Sequence, residues 1–205
     1  MLLAIDTSAG TSVAVVDRDA GVLAEVSSAD TRGHAEIIGT LISQALAEAG
    51  VPVTALSGVA VGMGPGPFTG LRVGIAAARA FAFGAGKPVV PVVSHDAIAF
   101  GLTRPTLIVT DARRREIYWS AYAGSDEAGL PVRVHGPALC KPAELADAVP
   151  DFDGYTRLDA ALVSAASVGL LAEGLYLHKR PFATGEALYL RSPDVTMSAG
   201  PKRVS

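Results

Sequence analysis

The sequence predicts an α/β protein of two lobes built on mixed sheets, and three observations carry that expectation. The chain opens with short β-prone runs separated by turn residues at hairpin spacing. Strand, helix, strand order follows, which adds parallel crossovers to an antiparallel start. Beyond a break at Gly101–Pro105 a sheet-plus-helices plan recurs on a smaller scale. With 205 residues, 50% of them hydrophobic, the chain can bury a substantial core and is not expected to be disordered.

In chain order, Leu2–Asp6, Ser12–Asp17 and Gly21–Ser27 read as three antiparallel strands, joined through Ser8–Gly10 and Arg18–Gly21. From Gly33 to Ala49, Ile37, Ile38, Leu41, Ile42, Ala45 and Leu46 recur at the three- and four-residue spacing of one helical face, and Gly50 and Pro52 stop it. Gly58–Met63 is a short apolar strand. Thr69–Gly84 is helical by its alanines, with Gly84 and Gly86 as terminators. Lys87–Val93 is a proline-marked edge strand. In the second half, Thr106–Thr110, Glu116–Ala123 and Val132–Cys140 are strand-like, and Pro142–Val149 and Leu158–Leu175 are helical. Leu188–Pro193 is expected to return and pack, ahead of a polar, disordered tail, Thr196–Ser205. The implied division is residues 1–103, 104–195 and 196–205.

Charge and cysteine content narrow the function classes. A net charge of -3 and a pI near 5.8 give no global basic field for nucleic acid. Cys140 is the single cysteine, so neither a disulfide within the chain nor a cysteine-based zinc cluster can form, and it reads as a buried apolar residue. Asp6 and the lack of a basic leader region suggest a cytosolic start rather than a secretory signal. The uncharged run Ala49–Leu71 is interrupted by Pro52, Pro65 and Pro67, so it is not expected to span a membrane.

The stretch Gly62–Gly74, GMGPGPFTGLRVG, has the look of a phosphate loop, but its details disagree. A P-loop needs Lys then Ser or Thr after its last glycine, whereas Gly70 precedes Leu71 and Arg72. Gly64, Gly66 and Gly70 are spaced G-x-G-x-x-x-G, one residue too wide for the dinucleotide fingerprint. Pro65 and Pro67 also remove two N–H donors. The stretch therefore reads as a strand-to-helix turn. Asp6 and Thr7, at the end of the first strand, either position a metal-phosphate or cap their own turn. Ser94-His95-Asp96 holds the residue types of a hydrolytic triad, yet neighbours in sequence do not converge on one substrate atom, and the run reads as a helix N-terminus. No histidine pair has helical ligand spacing, so no metal site is expected. The turn Asp111–Glu116, with Arg113 at its head, is either solvated charge or a contact for a phosphate or an acidic partner. Leu71–Phe83 is apolar almost all round, with Arg72 and Arg79 its charges, which marks a helix that is buried or meets another protein.

Four blocks together, Leu3–Ser8, Gly64–Gly74, Asp111–Arg113 with Glu116–Trp119, and Leu188–Arg191, resemble the TsaB (YeaZ) family of bacterial tRNA threonylcarbamoyladenosine (t6A) biosynthesis proteins over nearly the whole chain. The resemblance implies an actin/Hsp70/sugar-kinase-like (ASKHA, ribonuclease H-like) fold that has no catalytic residues and holds no cofactor of its own. It implies an accessory subunit that activates TsaD, with the ATPase TsaE, for threonylcarbamoyl transfer to adenosine 37 of tRNAs reading codons that begin with A. The chain would meet tRNA indirectly, in the cytoplasm, while the assembled complex uses ATP. The implied association face, for TsaD or alternatively for a homodimer, is drawn from Glu36–Leu46 and Leu71–Phe83: Ile37, Ile38, Leu41, Ile42, Leu71, Arg72, Ile75, Ala78 and Arg79. Asp6, Thr7 and Arg113 are the candidates for a nucleotide or partner contact. Two features depart from the family: Pro67 stands where serine is common, and the chain is short between Pro150 and Leu158. A small ATP-dependent phosphotransferase using Asp6 and Thr7 is the runner-up, and a peptidase lacks a placeable nucleophile, base and acid.

Overall fold

The structure of the chain, a computed structural model, describes residues 1–30 and 33–191. The first sheet holds β1 (Leu2–Asp6), β2 (Thr11–Asp17), β3 (Gly21–Ser28), β4 (Gly58–Gly62) and β5 (Val89–Val92), in the order β3-β2-β1-β4-β5. β1 is antiparallel to β2, with Leu3 opposite Val15, and parallel to β4, with Ala4 opposite Ala60. β5 is the edge that its proline foretold, because a residue without an N–H is tolerated where one side of the ladder is open.

Strand alternation divides the core into two faces. Leu3, Ile5, Val13, Val15, Val59 and Val61 meet α1 (His34–Ala49) and α2 (Phe68–Ala85) on one side. Leu2, Ala4, Ala14, Val16 and Ala60 meet α5 (Ala165–Leu177) on the other, with α3 (Ser94–Ala99) beside it. The alanines let α5 lie close: a Cβ on Gly169 would come 3.1 Å from Ala4 Cβ. α1 and α2 end at Gly50 and Gly86, whose left-handed backbone a side chain would strain.

The second sheet has the order β8-β7-β6-β9, from β6 (Thr106–Asp111), β7 (Ile117–Ser125), β8 (Pro131–Cys140) and β9 (Thr156–Asp159). β6 is antiparallel to β7 and parallel to β9, so this sheet is mixed as well. Its outward face, Leu107, Val109, Trp119 and Ala121, is closed by Leu145 of the short α4 (Leu145–Ala148) and by Val149. Its inward face carries Ile108, Thr110, Ser120 and Tyr122, all turned toward the first lobe and buried.

Three expectations change. Leu158–Leu175 is not one helix: its first residues belong to β9, and the helix begins only after Ser164, whose hydroxyl accepts the Ser167 N–H. α5 also packs on the first sheet although it follows the second in sequence, so the cut at 103/104 does not separate the layers in space. Pro142–Val149 is a 3-10 turn leading into a single helical turn rather than a full helix. The closing segment does return, with the Leu188 N–H donating to Met63 O at 2.8 Å and the Ala183 N–H to Pro91 O at 3.1 Å. The proposed tail, Thr196–Ser205, lies outside the described residues. No helix among the described residues is long and apolar enough to cross a membrane.

Candidate functional site: a closed glycine turn and an open helix face

β1 ends at Asp6, and the turn that follows it is the floor on which the glycine loop sits. Asp6 is 1% exposed. Its Oδ1 accepts the Ser8 N–H at 2.7 Å and the Ser8 hydroxyl at 2.6 Å, and its Oδ2 accepts the Ser94 hydroxyl at 2.6 Å. Burial raises its pKa, and the three hydrogen bonds pull it back. Thr7 is equally enclosed, its hydroxyl donating to Gly70 O at 2.7 Å.

The glycines of the loop record this close approach. A Cβ on Gly66 would lie 2.8 Å from Ser8 Cα, and one on Gly70 would lie 2.6 Å from Thr7 O. Cβ atoms on Gly62 and Gly74 would overlap Asp6 Oδ2 and Thr7 Oγ1 outright. Four of the five glycines thus serve chain-to-chain packing. Pro67 is the residue before α2, and its carbonyl accepts the Leu71 N–H at 3.1 Å. Asp6 thus caps its own turn, whereas the Thr7 hydroxyl ties that turn to α2.

Arg113 sits elsewhere, at the mouth of the cleft between the lobes. It lines two adjoining cavities of about 370 and 390 Å³, with Pro67 and Thr69 common to both, and neither Asp6 nor Thr7 reaches them. Arg113, Arg114 and Arg115 all have left-handed backbone, with φ of 64°, 53° and 63°. The Arg113 N–H donates to Asp111 Oδ1 at 2.9 Å, and its guanidinium is 3.5 Å from Asp111 Oδ2. Arg191 closes over this turn, bonding Ala112 O and Arg113 O and pairing with Glu116. His34 walls the second cavity. Its Nδ1 is 2.6 Å from the Thr11 hydroxyl, and burial with help from the Arg113 charge lowers its pKa against the pull of Asp30 and Glu36.

Five of the expected association residues face inward. Ile38, Ile42, Leu71, Ile75 and Ala78 are all buried against the first sheet, because both helices need these same residues to close the core. Leu71 and Ala78 offer nothing to a partner, whereas Ile75 keeps an edge in the surface cavity it lines with Arg72, Ala76 and Arg79. Ile37 and Leu41 are half-buried, whereas Arg72 and Arg79 are exposed. The open face of α2 is instead Arg72, Ala76, Arg79, Ala80 and Phe83, and on the neighbouring α1 Gly39, Thr40 and Ser43 are exposed as well. Phe83 is 90% exposed, the most exposed large hydrophobic side chain among the described residues, ahead of Tyr176 at 74%. The sequence held the signal: Gly70 and Gly74, one turn apart, mark the buried side of α2, so the opposite side carries Arg72, Ala76, Arg79 and Phe83. Arg72 stacks 3.9 Å above Phe68, and Arg79 donates to Gly185 O, so both guanidiniums are oriented along the surface.

Sequence reasoning also missed the reach of Ser94, His95 and Asp96. Ser94 is the first helical residue rather than the cap, which is Val93, and its hydroxyl serves Asp6 and the Gly64 N–H. His95 is fully buried between the Ser120 and Thr110 hydroxyls at 2.8 and 2.9 Å. Burial, then the nearby Arg133 charge, holds its pKa down at about 3.

Comparison with known proteins follows the same outline. Residues 10–161 match a family described as TsaD, tRNA N6-adenosine threonylcarbamoyltransferase. An uncharacterized protein of Mycobacterium tuberculosis is 38% identical over 94% of this chain and 92% of its own length. The tRNA threonylcarbamoyladenosine biosynthesis protein TsaB of Escherichia coli is 33% identical over 69% of this chain and 62% of its own. YeaZ from Pseudomonas aeruginosa has a similar solved structure, with a TM-score of 0.73 and 26% identity over 92% of this chain and 99% of that one.

Proposed function

This chain belongs to the TsaB/YeaZ-type proteins of tRNA threonylcarbamoyladenosine biosynthesis, and we propose that it is the non-catalytic accessory subunit that binds and activates the organism's TsaD homologue. The observation that carries the reading is the open α1–α2 face. Its small residues, Gly39, Ser43, Ala76 and Ala80, permit close helix packing, and Phe83 stands out of it as an anchor. In this reading a TsaE homologue joins the same assembly and spends its ATP, the chain meets tRNA through TsaD, and the work is cytoplasmic. A homodimer through the same face is the alternative association. A phosphotransferase centred on Asp6 and Thr7 is disfavoured because both side chains are committed to internal hydrogen bonds.

Co-expression with the TsaD homologue, followed by size-exclusion chromatography and nucleoside analysis of tRNA from a complemented deletion strain, tests the reading. The wild-type chain is expected to co-elute and restore the modified adenosine, whereas Ala80→Arg combined with Phe83→Asp stays folded and loses both. Retention of both by that variant, or intact modification in the uncomplemented deletion strain, overturns it.

A further inference from the structure

Three consecutive residues on the first turn of α3 leave the helix for three different places. Ser94 faces the first lobe, where it donates to Asp6 Oδ2 at 2.6 Å and accepts the Gly64 N–H at 3.0 Å. His95 faces the second sheet, with Nδ1 2.8 Å from Ser120 Oγ on β7 and Nε2 2.9 Å from Thr110 Oγ1 on β6. Asp96 accepts the Tyr122 hydroxyl at 2.7 Å and lies 3.4 Å from Arg133 on β8. Just beyond, Ala99 packs on Ile108 and Tyr122, so the seam around these bonds is apolar.

A neutral imidazole has one N–H and one lone pair, and the two hydroxyls use both. Swinging the second lobe away would strip His95 of both partners and Asp96 of Tyr122 while Ser94 stayed with Asp6. Each buried polar group left alone keeps its desolvation cost without return. Such a fully satisfied network favours one arrangement over a continuum of openings.

We propose that the Ser94–His95–Asp96 turn is an interlobe clamp that holds the cleft at one opening, so that the chain moves as a single rigid body rather than as a hinged clamshell. The clamp stands independently of any partner.

Distances between spin labels test it on the full chain, with Cys140→Ser removing the native thiol. Labels at Ala20→Cys, in the turn between β2 and β3, and Asp147→Cys on α4 report the interlobe separation, with the labelled chain diluted in unlabelled chain so that distances within one molecule are read. Labels at Ala20→Cys and Glu48→Cys report the first lobe alone. The parent is expected to give one narrow distribution for both pairs. His95→Ala is expected to broaden the interlobe distribution at least twofold while the first-lobe pair and the fluorescence of Trp119, in the second lobe, stay unchanged. Should His95→Ala fail to fold, Thr110→Val, which removes one of the two imidazole partners at nearly constant shape, is read in the same way. A parent distribution already broad or bimodal, or a folded variant as narrow as the parent, overturns the clamp.

Discussion

Replacing Gly74 with alanine pits two effects of opposite sign against each other. Gly74 lies inside α2, where alanine is favoured over glycine by about 0.5–1 kcal/mol. Its added Cβ, however, would overlap Thr7 Oγ1 and stand 3.0 Å from Thr7 Cγ2. Thr7 is buried, β-branched and tied to Gly70 O, so it cannot rotate away without giving up that bond. Overpacking of this kind costs about 1–3 kcal/mol, which leaves a net loss of up to about 2.5 kcal/mol. For a chain of this size that is a fall in Tm of up to about 10 °C. Gly39→Ala is the internal control, because that position lies within α1 and a Cβ there meets nothing within 4 Å. It is expected to stabilise by about 0.5–1 kcal/mol. Urea titration of Gly74→Ala, Thr7→Ala and the two combined completes a double-mutant cycle, with a favourable coupling of about 1 kcal/mol expected. If Gly74→Ala stabilises the protein as Gly39→Ala does, the glycines of the loop are not packing glycines and the reasoning fails.

Ser94→Ala orphans one oxygen of a buried carboxylate and the Gly64 N–H, and is expected to cost about 2–4 kcal/mol in denaturant unfolding. His95, held at about 3 in the folded state against 6.5 for a free histidine, makes stability fall as pH drops from about 6.5 toward 3. The unfolded chain there takes up a proton that the folded one refuses, at up to about 1.4 kcal/mol per pH unit. His34, also lowered, adds the same sign, while Asp6 and Asp96, both raised by burial, oppose it above 3.8. His95→Gln is expected to flatten most of that slope in a series of urea midpoints against pH. Ile75→Glu is expected to unfold the chain and Phe83→Asp to shift stability by less than about 0.5 kcal/mol, as thermal melts will read.

Wherever neighbours in sequence decide the structure, the sequence was readable. The three opening strands end within a residue of their expected bounds because alternation and turn residues are local signals. The helix over 34–49 was legible from its apolar stripe for the same reason. The start of α5 was not, because a helix apolar almost all round has no polar face to mark its period, and the run Leu158–Leu175 hides the end of β9. That α5 returns to the first sheet is non-local and leaves no trace in spacing. The association residues divide more instructively: apolar periodicity reports which face is buried, and five of them, Ile75 and Ala78 included, are buried by the chain's own core while Arg72 and Arg79 stay exposed. Exposure had to be read as the complement of that face.

The same logic explains how one short stretch can imitate a nucleotide loop without its chemistry. A phosphate loop uses glycine so that backbone N–H groups can crowd an anion. Here the crowding partner is the chain itself, with Asp6, Thr7 and Ser8 occupying the near side of Gly62, Gly66, Gly70 and Gly74. A side chain at Gly70 or Gly74 would push α2 away from the end of β1, and one at Gly62 or Gly66 would displace Asp6 or Ser8. Because Asp6 is held in turn by Ser94, and His95 joins α3 to the second sheet, the pose of α2 is determined by contacts from both lobes. An anchor such as Phe83 is useful only on a helix whose position is fixed, since disorder on either side of an interface must be removed on binding. The closed glycine turn and the exposed phenylalanine are therefore two ends of one arrangement, the first rigidifying the helix that presents the second.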